Sequence, residues 1–372
     1  MTSVWNFSAG PAVLPKPVLQ QAAAEMLDWR GTGISVMEMS HRSSAYTEIF
    51  DSAKQRLRQL LKVPDTHEVL LMQGGAIAQN AIVPMNLCAQ FKQAAFVHTG
   101  AWSGKTLNEF SKYGQPHTVL SSASPSEGYS PMTYIPECSV LPERVNQKNF
   151  AYLHYCDNET IDGVEFQGQI EALAPQFDCP VVADVSSNIL SKPIQIERFG
   201  VLYGGAQKNI GPAGLTVVIV NKSLYDRALS ICPNAFHYAT QAQANSMYNT
   251  PPTYAIYIAG LVFEWLHNQG GIEWAQQQAQ IKSKLLYDFI DNSSFYASPV
   301  RRENRSRINI PFVLADEELN QSFLEKAQQA GLVQLKGHKS VGGMRASLYN
   351  AMPVEGVQAL VEFMRAFEKE NA

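Results

Sequence analysis

The amino-acid sequence predicts an α/β fold with a large, doubly wound, mainly parallel sheet and a smaller α+β domain at the C-terminal end. Three observations carry this reading. Apolar runs at 68–72, 94–98, 151–156, 180–184, 201–204 and 215–220 lack strict alternation, as strands do when helices cover both faces of a sheet. Amphipathic stretches separate them, and strand–helix–strand order sustained over roughly 200 residues implies parallel crossovers. Beyond about Gly270 the strands thin out relative to the helices. The expected division is a large domain over 16–265 and a small one over 266–372 that also takes in 1–15. Two domains suit 372 residues at roughly 150 per domain.

Taken in order, Pro15 and Pro17 suit the first turn of a helix running to near Gly31. Ile49, Phe50, Ala53, Leu57, Leu60 and Leu61 recur at helical steps and mark one buried helix face. In the last third, 272–290, 317–330 and 354–368 read as helices, and 307–313 and 345–349 as strands.

Composition narrows the function. With 45% hydrophobic and 17% charged residues the chain can bury a large core, so disorder is excluded as the main state. A net charge of −4 argues against a general nucleic-acid binder. The cysteines (Cys88, Cys138, Cys156, Cys179, Cys232) are odd in number and form no C-x-x-C pair, which suits reduced thiols in the cytoplasm. No metal-binding histidine pattern is present. The N-terminus lacks a signal-peptide pattern, and the longest apolar run, about 255–263, is short of the ~18 residues that span a bilayer. The expectation is a cytoplasmic protein with no metal, membrane or nucleic-acid partner.

Three features carry chemistry. Gln73-Gly74-Gly75-Ala76 follows a strand and opens a helix, so its freed N–H groups make an anion site, typically for phosphate. On its own it reads equally as an ordinary tight turn, and it is neither the dinucleotide nor the P-loop fingerprint. Asp184 ends an apolar strand, where open α/β sheets place ligands; a helix N-cap is the plainer reading. Lys208 follows another apolar strand among glycines, which suits a partly desolvated amine, although most lysines are solvated. Together the three match what pyridoxal phosphate requires: an amine for its aldehyde, a carboxylate for its ring nitrogen and a glycine turn for its phosphate. Trp102 could stack on the ring, and Thr160 could reach the ring oxygen; core packing and capping are the alternatives.

The chain also resembles the phosphoserine aminotransferase family. The resemblance is carried by Asn6-Phe7-Ser8-Ala9-Gly10-Pro11-Ala12, Ser40-His41-Arg42-Ser43, the glycine turn, Asn158-Glu159-Thr160-Ile161-Asp162-Gly163, Ala183-Asp184-Val185-Ser186-Ser187 and Ala206-Gln207-Lys208-Asn209. The long segment from Gly337 to Ala351 is the most specific. These run in family order over nearly the whole chain. The resemblance implies a fold-type-I pyridoxal-phosphate transferase of class V acting as a homodimer. It assigns the covalent cofactor link to Lys208, the ring nitrogen to Asp184, the ring face to Trp102 and the ring oxygen to Thr160. Ala76, Ile77 and Gln207 would hold the cofactor phosphate, joined by Asn249 and Thr250 from the partner subunit. Ser8, His41, Arg42, His338, Lys339 and Arg345 match substrate-binding segments. The implied reaction is ping-pong amino transfer from L-glutamate to 3-phosphohydroxypyruvate, giving 2-oxoglutarate and O-phospho-L-serine, in serine biosynthesis. Extension to the phosphorylated hydroxythreonine of pyridoxine biosynthesis is also implied.

The sequence departs from the family pattern in places. Ile77 stands where some relatives carry arginine, and Lys339 where arginine is common; lysine keeps the charge and loses the fork geometry. Asn80 occupies a position that is often aromatic. Another class-V activity such as cysteine desulfuration would need a mobile-loop cysteine, and none follows Cys232. A non-catalytic relative would not be expected to keep both Lys208 and Asp184.

Overall fold

A computed structural model of the chain describes residues 4–137 and 149–371; Cys138 lies outside the described residues. Its centre is a seven-stranded sheet in the order His67–Gln73, Leu215–Asn221, Val201–Gly205, Val181–Asp184, Leu153–Cys156, Gln93–His98, Gln115–Ser121. Leu215–Asn221 is antiparallel to both neighbours, and all the other pairs are parallel. The fold is thus α/β with a mainly parallel sheet. Residues Val69, Leu71, Val97, Ala183, Leu202 and Val217 are fully buried or nearly so, as strands covered on both faces should be.

Helices flank the sheet. Ser44–Leu60 begins where the Ser43 hydroxyl accepts from Tyr46 N–H at 3.2 Å, and it buries Ile49, Phe50, Ala53, Leu57 and Leu60. That face packs on Thr253–Gln269, where a Cβ on Gly260 would come within 3.1 Å of the Ala53 Cβ. The first helix, Lys16–Ala24, is shorter than the run to Gly31 that the prolines suggested. Beyond it the chain turns back on itself: Asp28 accepts from Gly33 N–H at 2.7 Å, and Arg30, Gly31 and Gly33 all take positive φ. The edge strand Gln115–Ser121 was not anticipated. Its side chains are half-exposed and mixed in polarity, so it carries no apolar run.

The C-terminal region has its own antiparallel sheet, Tyr296–Ala297, Asn309–Leu314 and Met344–Ser347, backed by Gly271–Asp291, Asn320–Gln329 and Val354–Asn371. Phe7, Leu286, Phe312, Phe323, Met364 and Phe367 form its core. The N-terminal segment joins this region, because Trp5–Asn6 pairs in parallel with Leu332–Val333. The helix Gly271–Asp291 links the two cores: Ile272 and Ala275 pack in the larger, Leu286 and Ile290 in the smaller. Among the described residues no helix is long and apolar enough to cross a membrane.

Candidate active site

The glycine turn lies between the strand His67–Gln73 and the helix Gly75–Leu87. Gly74 has φ +104°, and a Cβ there would sit 2.6 Å from the Ala78 Cβ, so only glycine fits. The helix start that follows, with Ala76 and Ile77, faces a cavity of about 140 Å³ also bordered by Trp102, Asp184, Gln207 and Lys208. Gln207 reaches it past Gly205, where a Cβ would lie 2.5 Å from Gln207 Oε1.

Lys208 is buried in the turn that follows the strand Val201–Gly205, and its Nζ donates to Thr160 Oγ1 at 2.7 Å. Burial pushes the amine's pKa down; Asp184 pulls the other way by stabilising the cation. Asp184 Oδ1 accepts from Ser186 N–H at 2.9 Å and from Ser186 Oγ at 2.5 Å. Burial raises this carboxyl, opposed by Lys208 and Ser186. Trp102 stands near the start of Ala101–Phe110, its ring centre 5.6 Å from Lys208 Nζ. Its buried Nε1 has no hydrogen-bond partner.

A basic group gathers beside this cavity. Arg345, on Met344–Ser347, donates from Nη1 to the Thr160 carbonyl at 3.2 Å. His338 donates to or accepts from Ser340 Oγ at 2.6 Å. Partial burial, and then the charges of Arg345, Lys105 and Lys339, hold its imidazole below its ordinary value. Ser8 is half-buried on the N-terminal segment, close to Gly10, which lies against Gln207 and Lys208.

Of the expected residues, Ala76, Ile77, Trp102, Asp184, Gln207 and Lys208 line this cavity; Thr160, and Arg345 through it, adjoin it at Lys208, and Ser8, His41, Arg42, Asn249, Thr250, His338 and Lys339 are not among its lining residues. His41 is half-buried and Arg42 exposed in the turn before Ser44–Leu60. Asn249 and Thr250 are exposed, with the Thr250 carbonyl accepting from Gln73 Nε2 at 2.7 Å. A larger cavity, about 1010 Å³ and edged by Asp157, Lys192 and Arg307, contains none of the expected site residues.

Several neighbours were not expected as site residues, although Asn80 stood out as a departure from the family pattern. Asn80 accepts from Thr106 Oγ1 at 3.0 Å, and both border the cavity, which accounts for a polar residue at that position. Lys105 Nζ lies 4.1 Å from the Trp102 ring centre. Glu159 and Asp162 accept from the first N–H groups of the Trp102 helix. The only signal for these two was their place in the Asn158–Gly163 motif; their contact with residues some sixty positions earlier is not periodic.

The family model for class-V aminotransferases matches residues 4–360. A phosphoserine aminotransferase of Burkholderia ambifaria is 57% identical over 369 residues, covering 99% of each chain. The chain belongs to the class-V aminotransferases, in the phosphoserine aminotransferase family. Solved phosphoserine aminotransferases share its fold. That of Bacillus circulans subsp. alkalophilus superposes with a TM-score of 0.92 at 42% identity over 99% of each chain. The pyridoxal-phosphate-bound protein of Trichomonas vaginalis gives 0.89 at 38% identity, over 97% of this chain and 99% of its own.

As a class-V aminotransferase the chain is a pyridoxal-phosphate-dependent enzyme, and the donor set fits that cofactor. A buried amine, a buried carboxylate, a glycine-only helix start and an indole with an unused N–H surround one small cavity. Among the described residues no cluster of His, Cys, Asp and Glu is placed to hold a metal ion.

Proposed function

We propose that this enzyme is a phosphoserine transaminase. It exchanges the amino group between the L-glutamate/2-oxoglutarate pair and the O-phospho-L-serine/3-phosphohydroxypyruvate pair, in serine biosynthesis in the cytoplasm. By the same chemistry its range extends to the phosphorylated hydroxythreonine/oxobutanoate pair of pyridoxine biosynthesis. The observation that carries this reading is the Lys208 amine, buried on Thr160 opposite Asp184 and within one residue of the Arg345 contact.

Bound pyridoxal phosphate supplies an electron sink for charge developing at the substrate α-carbon. The N–H groups at Ala76 and Ile77 and the Gln207 amide would hold its phosphate, as helix starts do for anions. Asp184, braced by Ser186, would keep a proton on the ring nitrogen. Trp102 would cover the ring, and Thr160 orients the amine. Lys208 is the proton carrier. Burial favours its neutral form, which can take a proton from the substrate α-carbon, and Asp184 steadies the cation so formed. Arg345, His338 and Lys339, with Ser8, receive the carboxylate and phosphate of the substrate.

The working unit is a homodimer in this reading. His41, Arg42, Asn249 and Thr250 lie outside their own cavity, and Met37, Ile77, Phe236 and Tyr248 expose apolar surface at 40% or more. Each copy would complete the other's site. The chain divides at about 265, with 1–15 joining the smaller part.

The test follows the cofactor's absorbance as glutamate is added, and then adds keto acids with and without phosphate. Recovery of the starting spectrum with the phosphorylated keto acid alone is expected. Equal recovery with both would overturn the substrate assignment.

A further inference from the structure

We propose that Glu159 is a positioning residue for amino transfer: with Asp162 it fixes the first turn of Ala101–Phe110, and so the place of Trp102 over the cavity. This rests on the reading of Trp102 as the cover of the cofactor ring.

The first N–H groups of a helix have no partner within it. Here they are taken by carboxylates from a distant segment. Glu159 Oε2 accepts from Trp102 N–H at 2.8 Å and Oε1 from Ser103 N–H at 2.9 Å, while Asp162 Oδ2 accepts from Ala101 N–H at 2.8 Å. Glu159 is fully buried. The approach is possible because residue 100 is glycine: a Cβ there would lie 2.5 Å from Glu159 Cδ and 2.6 Å from Asp162 Oδ2.

Between the two acids, Thr160 accepts from Lys208 at its hydroxyl oxygen and from Arg345 at its carbonyl. One segment therefore sets the indole, the amine and the guanidinium together. An ordinary helix cap would stabilise its helix and do nothing more. This one places a ring-covering side chain in register with the reacting amine.

The hold is also sensitive to protonation. Burial, and then Asp162, raises the Glu159 pKa to about 7, and burial raises Asp162 to about 6. The other groups facing them are Lys208 and the Cys156 thiol on the Glu159 side and Arg345 on the Asp162 side. Ionised, Glu159 accepts from both N–H groups; protonated, it turns a donor toward one of them. The hold on Trp102 therefore weakens as pH falls through about 7.

The test uses Glu159→Gln, which keeps the shape and replaces one acceptor with a donor. Amide exchange at residues 99–104 is read in the cofactor-free chain. Cofactor affinity is read by equilibrium dialysis, and the visible circular dichroism of the loaded enzyme reports the packing of the indole. Exchange at Trp102 and Ser103 should rise and cofactor affinity fall, each about tenfold, the scale of one charge-assisted hydrogen bond. The dichroic band should weaken in parallel.

Unchanged exchange overturns the proposal, and so does faster exchange with unchanged affinity and dichroism. If Glu159→Gln does not fold, Asp162→Asn, read at the Ala101 amide, decides in the same way. Trp102→Ala separates the two levels: unchanged cofactor affinity there overturns the reading of Trp102 itself and this inference with it. A loss in Trp102→Ala with none in Glu159→Gln overturns this inference alone.

Discussion

Thr160 lies between Lys208 and Arg345, its Oγ1 2.7 Å from Lys208 Nζ and its carbonyl oxygen 3.2 Å from Arg345 Nη1. The amine follows a strand of the large sheet, and the guanidinium stands on the small C-terminal sheet. One residue thus ties the proposed proton carrier to the proposed anion-binding group across the two regions. The hydroxyl and the carbonyl can be separated by mutation, because only the hydroxyl belongs to the side chain.

Thr160→Val keeps the volume and the carbonyl and removes the hydroxyl. The Lys208 amine then loses its acceptor inside a buried site. Turnover should fall about tenfold, the scale of one hydrogen bond to a charged group. The KM for the phosphorylated keto acid should stay within about twofold, since the Arg345 contact is to the backbone. Steady-state kinetics with both substrates measure the split, and a large KM rise with normal turnover would contradict it.

Lys208→Ala removes the amine itself. Turnover should vanish, together with the visible absorbance of the lysine-linked cofactor, while the fold is kept, because the alanine leaves Asn209 and its bond to the Asn350 N–H in place. Absorbance spectra and the glutamate half-reaction check this. Normal turnover would remove Lys208 from the chemistry.

How legible these groups were depended on the range of the contact. Asp184 stands out because it ends an apolar strand and Lys208 because it follows one, and the glycine turn because its backbone geometry excludes side chains. Trp102 and Thr160 stood open between cofactor contacts and core packing or capping until the family motifs assigned them, since nothing in their neighbouring residues shows what faces them. Glu159 and Asp162 act across the fold on the Trp102 helix, and spacing along the chain carries no such information; Lys105 sits on that helix itself, three residues after Trp102. The edge strand Gln115–Ser121 was hidden for a different reason: it is half-exposed, so burial did not select an apolar run there. Asn80 made sense only once Thr106 was placed opposite it.

Arg345→Ala should raise the KM for the phosphorylated keto acid at least about thirtyfold, the lower end of the roughly 2 to 5 kcal/mol expected on removing one partner of a buried charged contact. Lys339→Ala should have the smaller effect, since Lys339 is exposed and better screened. Initial rates over a range of keto-acid concentrations distinguish the two. An unchanged KM in Arg345→Ala would take that residue out of the anion site.

Gly74→Ala and Gly75→Ala separate strain from collision at the expected phosphate site. Both residues have positive φ, +104° and +68°, so alanine costs about 1 to 2 kcal/mol at either. Only at position 74 would the new methyl also strike Ala78, at 2.6 Å; at 75 nothing lies within 4 Å. Cofactor affinity should therefore drop further in Gly74→Ala than in Gly75→Ala. Equilibrium dialysis of the two variants measures the difference, and equal losses would mean that the collision is relieved by movement of the helix.

Glu165 gives the fold an acid-sensitive link between its two regions. It is fully buried, with Oε1 2.7 Å from Arg307 Nη2 and 3.5 Å from Lys192 Nζ. Burial alone would raise its pKa, but Lys192 and Arg307 outweigh it and hold the carboxyl at about 2. In an unfolded chain the same group titrates near pH ~4.3. The folded value lies below the unfolded one, so ionised Glu165 favours folding. That contribution is complete above about pH 4.5 and is lost as pH falls toward about 2. Glu165→Gln should lower stability at neutral pH by about 3 to 5 kcal/mol, because it removes the charge that pairs Arg307 and turns an amide N–H group toward the guanidinium donors, whereas Lys192 keeps Asp157 at 2.7 Å. Thermal unfolding of both proteins from neutral pH down to about pH 3 checks the sign. The gap between them should narrow with acid, since the wild type gives up what the variant never had. A gap that stays constant would assign the loss to packing at position 165 instead of to its charge.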